Sequence, residues 1–220
     1  MIPRRRATAL LASLAFVLAA CGVTAASPSA APSNAPSAAP SSDPGGSCPT
    51  SQPPALPAGE TRSVGIETAK GKIVIRVSAD LSPIAAGNFV ALASCGYYDG
   101  VVFHRVATLK DGTPFVIQGG DPSGTGGGGP GYTIADEPVT ATYKRGTVAM
   151  ARTAQPNSQG SQFFVVLSDG AGPILADYNT YAIFGEVVEG MDAVDAIYAA
   201  ADVELPTNPI AMDRVTVSTP

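Results

Sequence analysis

One stretch limits where this chain can build a core. Residues 22–58 hold nine alanines, eight serines and nine prolines in 37 positions, with Asp43 as their only charge. Such a segment buries too little apolar surface to offset the entropy of ordering it. It reads as a disordered tether, extended by its prolines but not stiff. A packed domain is therefore expected over residues 59–220, inside the ~50–250 residues usual for one domain.

Upstream of the tether, Arg4, Arg5 and Arg6 precede an uncharged, proline-free run, ATALLASLAFVLAA, at residues 7–20. A bilayer span needs ~20 apolar residues, so this run is too short to cross. It fits the apolar region of an export signal over residues 1–20. The run ends Leu18-Ala19-Ala20-Cys21. That ending resembles the lipobox of bacterial lipoproteins, which implies cleavage before Cys21 and acylation of its thiol. Two or more acyl chains hold a protein stably at a membrane, whereas one holds it marginally. The expected location is the extracytoplasmic face of the cell membrane, lipid-anchored; an ordinary secretory signal is the alternative. Once Cys21 is acylated, Cys48 and Cys95 are the remaining cysteines, and they could pair in an oxidising compartment or stay apart.

Composition removes several functions. The 220 residues carry 18 acidic and 13 basic side chains, a net charge of −5. The 59–220 region alone has 17 acidic and 10 basic residues, net −7. A nucleic-acid binder needs a basic footprint, and none is present. Three cysteines and one histidine do not make a usual zinc site without several carboxylates.

Within 59–220, Lys72–Val77 (KIVIRV) alternates and is β-branched, which predicts a strand. Ser82-Pro83 predicts a helix start, with Ser82 as cap and Pro83 in the first turn. Further strands are predicted at Val101–Val106, Phe115–Gln118, Thr147–Ala151, Phe163–Leu167, Ala182–Val188 and Arg214–Val217. A second helix should open at Gly190-Met191. Seven strands and two helices predict a mainly β, antiparallel architecture. A closed barrel with a helix over each end fits that count and leaves no exposed edge.

Few residues in these strands suggest chemistry. The run GGDPSGTGGGGPGY, Gly119–Tyr132, lacks the Lys-Ser/Thr ending of a phosphate loop and reads as a tightly turned surface loop. His104, the single histidine, has no GxSxG serine to serve and reads as structural. Arg105, Gln118 and Gln162 are more informative, because each interrupts or borders an apolar strand and must find a partner. Ideal alternation puts Gln118 on the face of Val116, opposite Phe115 and Ile117. A bend or bulge near the glycines could bring Phe115 beside Gln118.

The stretches FHRV at 103–106, FVIQGGD at 115–121, GSQFFV at 160–165 and IFGEVVEGMDAVDAI at 183–197 resemble the cyclophilin-type peptidyl-prolyl cis-trans isomerases. The likeness runs in order from about residue 66 to 219, and the proline-rich leader is similar to that of exported members from high-GC Gram-positive bacteria. The resemblance implies an eight-stranded antiparallel β-barrel capped by two α-helices. It also implies catalytic residues Arg105, Gln118 and Phe115, and a substrate surface of Val116, Ala151, Arg152, Gln162, Phe164, Leu175 and Tyr181. Three positions depart from the family pattern: Arg152 stands for an asparagine, Tyr181 for the histidine of the best-known members, and no tryptophan lies near Leu175. An insert, Ala107–Pro114, lengthens the turn before Phe115.

The implied reaction is rotation about X-Pro bonds, assisted by an arginine hydrogen bond to the prolyl nitrogen. A non-catalytic module that clamps proline-containing peptides is the alternative. Expected partners are proline-containing polypeptides, the membrane through the anchor, and cyclosporin-type ligands held weakly. No cofactor, metal or nucleic acid is expected, and the chain is expected to be monomeric.

Overall fold

The computed structural model describes residues 47–219. The expected export signal and Cys21 lie outside the described residues. Eight strands are present: β1 (Thr61–Thr68), β2 (Gly71–Ser78), β3 (Arg105–Thr108), β4 (Pro114–Gly119), β5 (Thr147–Met150), β6 (Phe163–Val166), β7 (Ile183–Glu189) and β8 (Arg214–Ser218). Three α-helices accompany them: α1 (Pro83–Ser94), α2 (Gly172–Tyr178) and α3 (Met191–Ala200). They form one antiparallel sheet in the order β3-β4-β6-β5-β7-β2-β1-β8.

The sheet is not the closed barrel expected from the sequence. Strands β3 and β8 end the order and do not pair with each other. The chain before each of them meets only at one isolated bridge, Val102↔Ala211. Around it, Gly100 N–H donates to Met212 O, Met212 N–H to Val101 O and Phe103 N–H to Ile210 O. Upstream of that bridge the returning chain contains Pro206 and Pro209, which have no N–H to extend a ladder. For the same reason the strand expected at Val101–Val106 begins only at Arg105. The helix count also differs. The seven-residue α2 is too short for its periodicity to stand out.

Several strands are buried on both faces, so they read as unbroken apolar runs rather than alternating ones. All four residues of β5 and all four of β6 are buried. One face, with Ile117, Val148, Phe163, Val165 and Phe184, joins the main core beneath α1 and α3. Phe89 of α1 centres that core, with ring centroids 5.1 Å from Phe163 and 4.7 Å from Phe184. The other face, with Val116, Ala149, Phe164, Val166 and Ile183, makes a second apolar cluster with Leu175 of α2.

Helix α1 is covered on its outer side too, by residues expected to belong to the tether. Pro53 and Leu56 are buried, and Leu56 N–H donates to Pro83 O at 2.9 Å. Gly87 makes this possible: a Cβ there would overlap the Pro54 carbonyl oxygen. The strap is fixed covalently, since Cys48 is disulfide-bonded to Cys95, just past the end of α1, with their Cα atoms 5.2 Å apart. Ordered structure therefore starts well before residue 59. The helix start also differs from expectation. Ser82 makes no side-chain cap; instead the Glu137 carboxylate accepts from Ile84 N–H and Ala85 N–H, both at 2.8 Å.

Replacing both cysteines, Cys48→Ser with Cys95→Ser, is expected to lower stability by about 2–4 kcal/mol by releasing a 47-residue loop constraint. Denaturant titration of the oxidised wild type against the double variant measures this.

Candidate functional site

Cross-strand register assembles the site. Arg105 of β3 pairs with Gln118 of β4, and Gln118 with Phe164 of β6. Phe164 in turn pairs with Ala149, and Ala149 with Ile183. Directly opposed residues share a sheet face, so these five side chains form one row on the face of the second cluster. A parallel row two residues along holds Ala107, Val116 and Val166.

Phe115 reaches this face through a bulge. The register of β3 and β4 shifts so that Ala107 opposes Val116 while Thr108 opposes Pro114. Phe115 is the extra residue, and it packs against the second cluster. An inserted residue re-aims the side chains beside it. The bulge sits at the start of β4, not near the glycines that follow it.

The apolar half of the site is Phe115, Val116, Phe164, Leu175 and Tyr181. Phe164 and Tyr181 meet edge to face, ring centroids 5.4 Å apart. Tyr181 is positioned through its backbone: Tyr143 OH donates to Tyr181 O at 2.9 Å and accepts from Tyr181 N–H at 3.2 Å. Burial pushes the Tyr143 phenol up to about 12, so it keeps the proton it donates.

The polar half is a chain of side chains. Arg105 NH1 donates to Gln118 Oε1 at 3.4 Å, and Gln118 Nε2 donates to Gln162 Oε1 at 2.9 Å. Gln162 Nε2 donates onward to Gly126 O and Gly128 O, both at 2.9 Å. Gln118, Gln162, Ala151 and Arg152 line a cleft of about 470 Å³ whose far wall is Gly126–Gly131. The Ala151 N–H is spent on Gln162 O at 2.9 Å. The Arg152 side chain is only 9% exposed, and its guanidinium lies 3.1 Å from the Asp136 carboxylate and donates to Gln155 O at 2.7 Å.

The glycine-rich loop is organised by Asp121, a residue that sequence reasoning passed over. Its carboxylate is fully buried and accepts from the N–H groups of Ser123, Thr125, Gly126 and Gly128 at 2.7–3.1 Å, and from Ser123 Oγ. At Gly128 a Cβ would overlap the carboxylate oxygen, so glycine is required there. Burial pushes the Asp121 carboxyl up, but the hydrogen bonds from Gly128, Ser123 and Gly126 outweigh it and hold the group well below the usual carboxylate range. An aspartate followed closely by serine, threonine and glycines was the available signal. His104 lies buried beneath Gly126, and burial lowers its pKa, which leaves the ring neutral. Among the described residues no three His, Cys, Asp or Glu side chains gather where a metal ion could sit.

Because its folded pKa is depressed, Asp121 stabilises the protein above its unfolded pKa of about 4, and that contribution is lost as pH falls toward its folded value. Asp121→Asn is therefore expected to be less stable than wild type by about 1–3 kcal/mol at pH 7. The gap should narrow below about pH 4. Thermal unfolding of both proteins across pH 2–7 checks this.

The chain is similar to known proteins over most of the described residues. The family described as cyclophilin type peptidyl-prolyl cis-trans isomerase/CLD matches residues 63–217. Peptidyl-prolyl cis-trans isomerase A of Mycobacterium tuberculosis is 38% identical over 179 residues, covering 72% of this chain and 93% of that protein. Peptidyl-prolyl cis-trans isomerase-like 1 of Rhizopus delemar is 44% identical over 140 residues, covering 61% and 79%. A crystal structure of a cyclophilin type isomerase from Cryptosporidium parvum superposes with a TM-score of 0.63 at 30% identity, covering 73% of this chain and 99% of that one. The same Cryptosporidium protein, crystallised in the presence of the dipeptide Ala-Pro, gives 0.62. The chain belongs to the cyclophilin-type peptidyl-prolyl cis-trans isomerases, enzymes that act on bonds preceding proline.

Proposed function

We propose that the chain isomerises X-Pro bonds of exported polypeptides, with Arg105 as the catalytic residue. The observation that carries this reading is the shared row of Arg105, Gln118 and Phe164, which sets a guanidinium beside an apolar surface. The barrier to rotation comes from amide resonance, ~18–20 kcal/mol. As the bond twists, the prolyl nitrogen becomes pyramidal and gains a lone pair. Arg105, whose side chain is 35% exposed, is open to substrate and donates to that nitrogen. The bond strengthens only as resonance is lost, so it favours the transition state over either ground state. No group leaves and no electrons transfer, so the step needs no cofactor.

Phe115, Val116, Phe164, Leu175 and Tyr181 take the proline ring. Gln118 orients Arg105 and the substrate carbonyl. Gln162 and the backbone at Ala151 and Arg152 hold the residue before proline. No tryptophan is present in the chain, which supports weak binding of cyclosporin-type ligands.

The anchored, extracytoplasmic reading rests on Leu18–Cys21 and on the Ala/Ser/Pro-rich segment after it. The Cys48–Cys95 bond supports it, since disulfides persist in oxidising compartments. On this reading residues 1–20 are removed, the segment after Cys21 spaces the domain from the membrane, and the isomerase domain follows.

Arg105→Ala is expected to lower the isomerisation rate on a short X-Pro peptide about 10²–10³-fold, the range seen when one transition-state donor is removed, with an unchanged circular dichroism spectrum. A rate equal to wild type would refute the mechanism. Cys21→Ser should move the protein from the membrane pellet to the soluble fraction of expressing cells; retention in the pellet would refute the anchor.

A further inference from the structure

The amide of Gln118 is not the group that grips Arg105 most closely. Its contact with the guanidinium is long, 3.4 Å, and its own amide nitrogen is committed to Gln162. The short contacts come from Glu204, 99 residues further along the chain. Its Oε1 accepts from Nε of Arg105 at 2.7 Å and makes an ion-pair contact with NH2 at the same distance. Charge-assisted contacts of this length are the stronger kind of hydrogen bond. Glu204 is the only carboxylate paired with Arg105 among the described residues.

The backbone holds this acid in register. Val106, the residue after Arg105, donates its N–H to Glu204 O at 2.8 Å. The loop that carries Glu204 is closed by Asp202, whose Oδ1 accepts from Val203 N–H at 3.1 Å and Thr207 N–H at 3.0 Å. The preceding helix α3 is tied to β3 by Tyr198 OH and Thr108 Oγ1, 2.9 Å apart. Glu204 itself is 59% exposed and supports no part of the core.

From this we infer that Glu204 is a positioning residue for proline isomerisation, fixing the guanidinium of Arg105 by its Nε–NH2 edge. The inference rests on the reading of Arg105 as the catalytic donor. A guanidinium carries five N–H groups. Glu204 takes the Nε hydrogen and pairs with NH2, Gln118 faces NH1, and the remaining hydrogens of the two terminal nitrogens serve substrate. Without Glu204 the long side chain regains its rotamers and must be ordered again in each turnover. The acid therefore acts on the rate of the chemical step and leaves ground-state peptide affinity unchanged.

Steady-state kinetics of the full chain on a short X-Pro peptide test this. Glu204→Ala is expected to lower kcat about tenfold with KM within about twofold, the pattern of a lost transition-state contribution. Glu204→Gln keeps an acceptor without the charge and should fall between Glu204→Ala and wild type. Both variants should unfold at the wild-type temperature. On an Arg105→Ala background, adding Glu204→Ala should leave the residual rate unchanged, because the two residues act as one unit. Three results overturn the inference alone: kcat of Glu204→Ala at or above wild type, a change confined to KM, or an equal loss on the Arg105→Ala background. An Arg105→Ala protein with the wild-type rate overturns the arginine mechanism itself, and the inference with it.

Discussion

The candidate site depends on the pairing register of β3, β4 and β6. A strand turns successive side chains to opposite faces, so a one-residue slip of β4 would exchange Gln118 for Ile117 in the site row and send a glutamine into the core. The slip is prevented by burial on both sides. Ile117, Phe163 and Val165 belong to one apolar cluster and Val116, Phe164 and Val166 to the other, so each strand is specified twice. That explains how a polar row persists among strands that are otherwise almost entirely apolar.

The site is also ordered from beyond its own strands. Asp121 gathers the N–H groups of the glycine-rich loop, the loop offers Gly126 O and Gly128 O to Gln162, Gln162 holds Gln118, and Gln118 faces Arg105. From the other direction Glu204 meets the same guanidinium. A buried carboxylate and an exposed one thus bracket the arginine, the first through three intermediaries and the second directly. The buried one is satisfied by fixed N–H groups in a low-dielectric setting, so salt screens it little. The exposed one stands in water, where surface pairs contribute little to stability. Its importance lies in orientation, which a ledger of folding energy does not record.

Much of this was legible in the sequence, for physical reasons that differ by element. Strands β2, β4, β5, β6 and β7 declared themselves by β-branched and aromatic runs between turn residues. Strand β1 did not, since Arg62, Ser63 and Glu67 leave it only a short buried centre at Val64–Ile66. Closure was misread because a strand count says nothing about whether the first and last in the order can pair. The prolines at 206 and 209 were the clue, and they act on backbone donors rather than on pattern. Arg105, Gln118 and Phe164 could be named from resemblance, but the placement of Phe115 needed a bulge that alternation denies. Glu204 left no local trace, because its partner is brought close only by the tertiary path of the chain.

The strap across α1 has a mechanical consequence. The disulfide joins the N-terminal arm to the end of a buried helix rather than to β1, the strand into which the arm leads. Tension arriving along that arm enters at Cys48 and loads α1 through a covalent bond. It does not unzip β1 from β2 and β8 one hydrogen bond at a time. A domain wired in this way spreads a pull on that arm through its helix and core instead of concentrating it on a single strand.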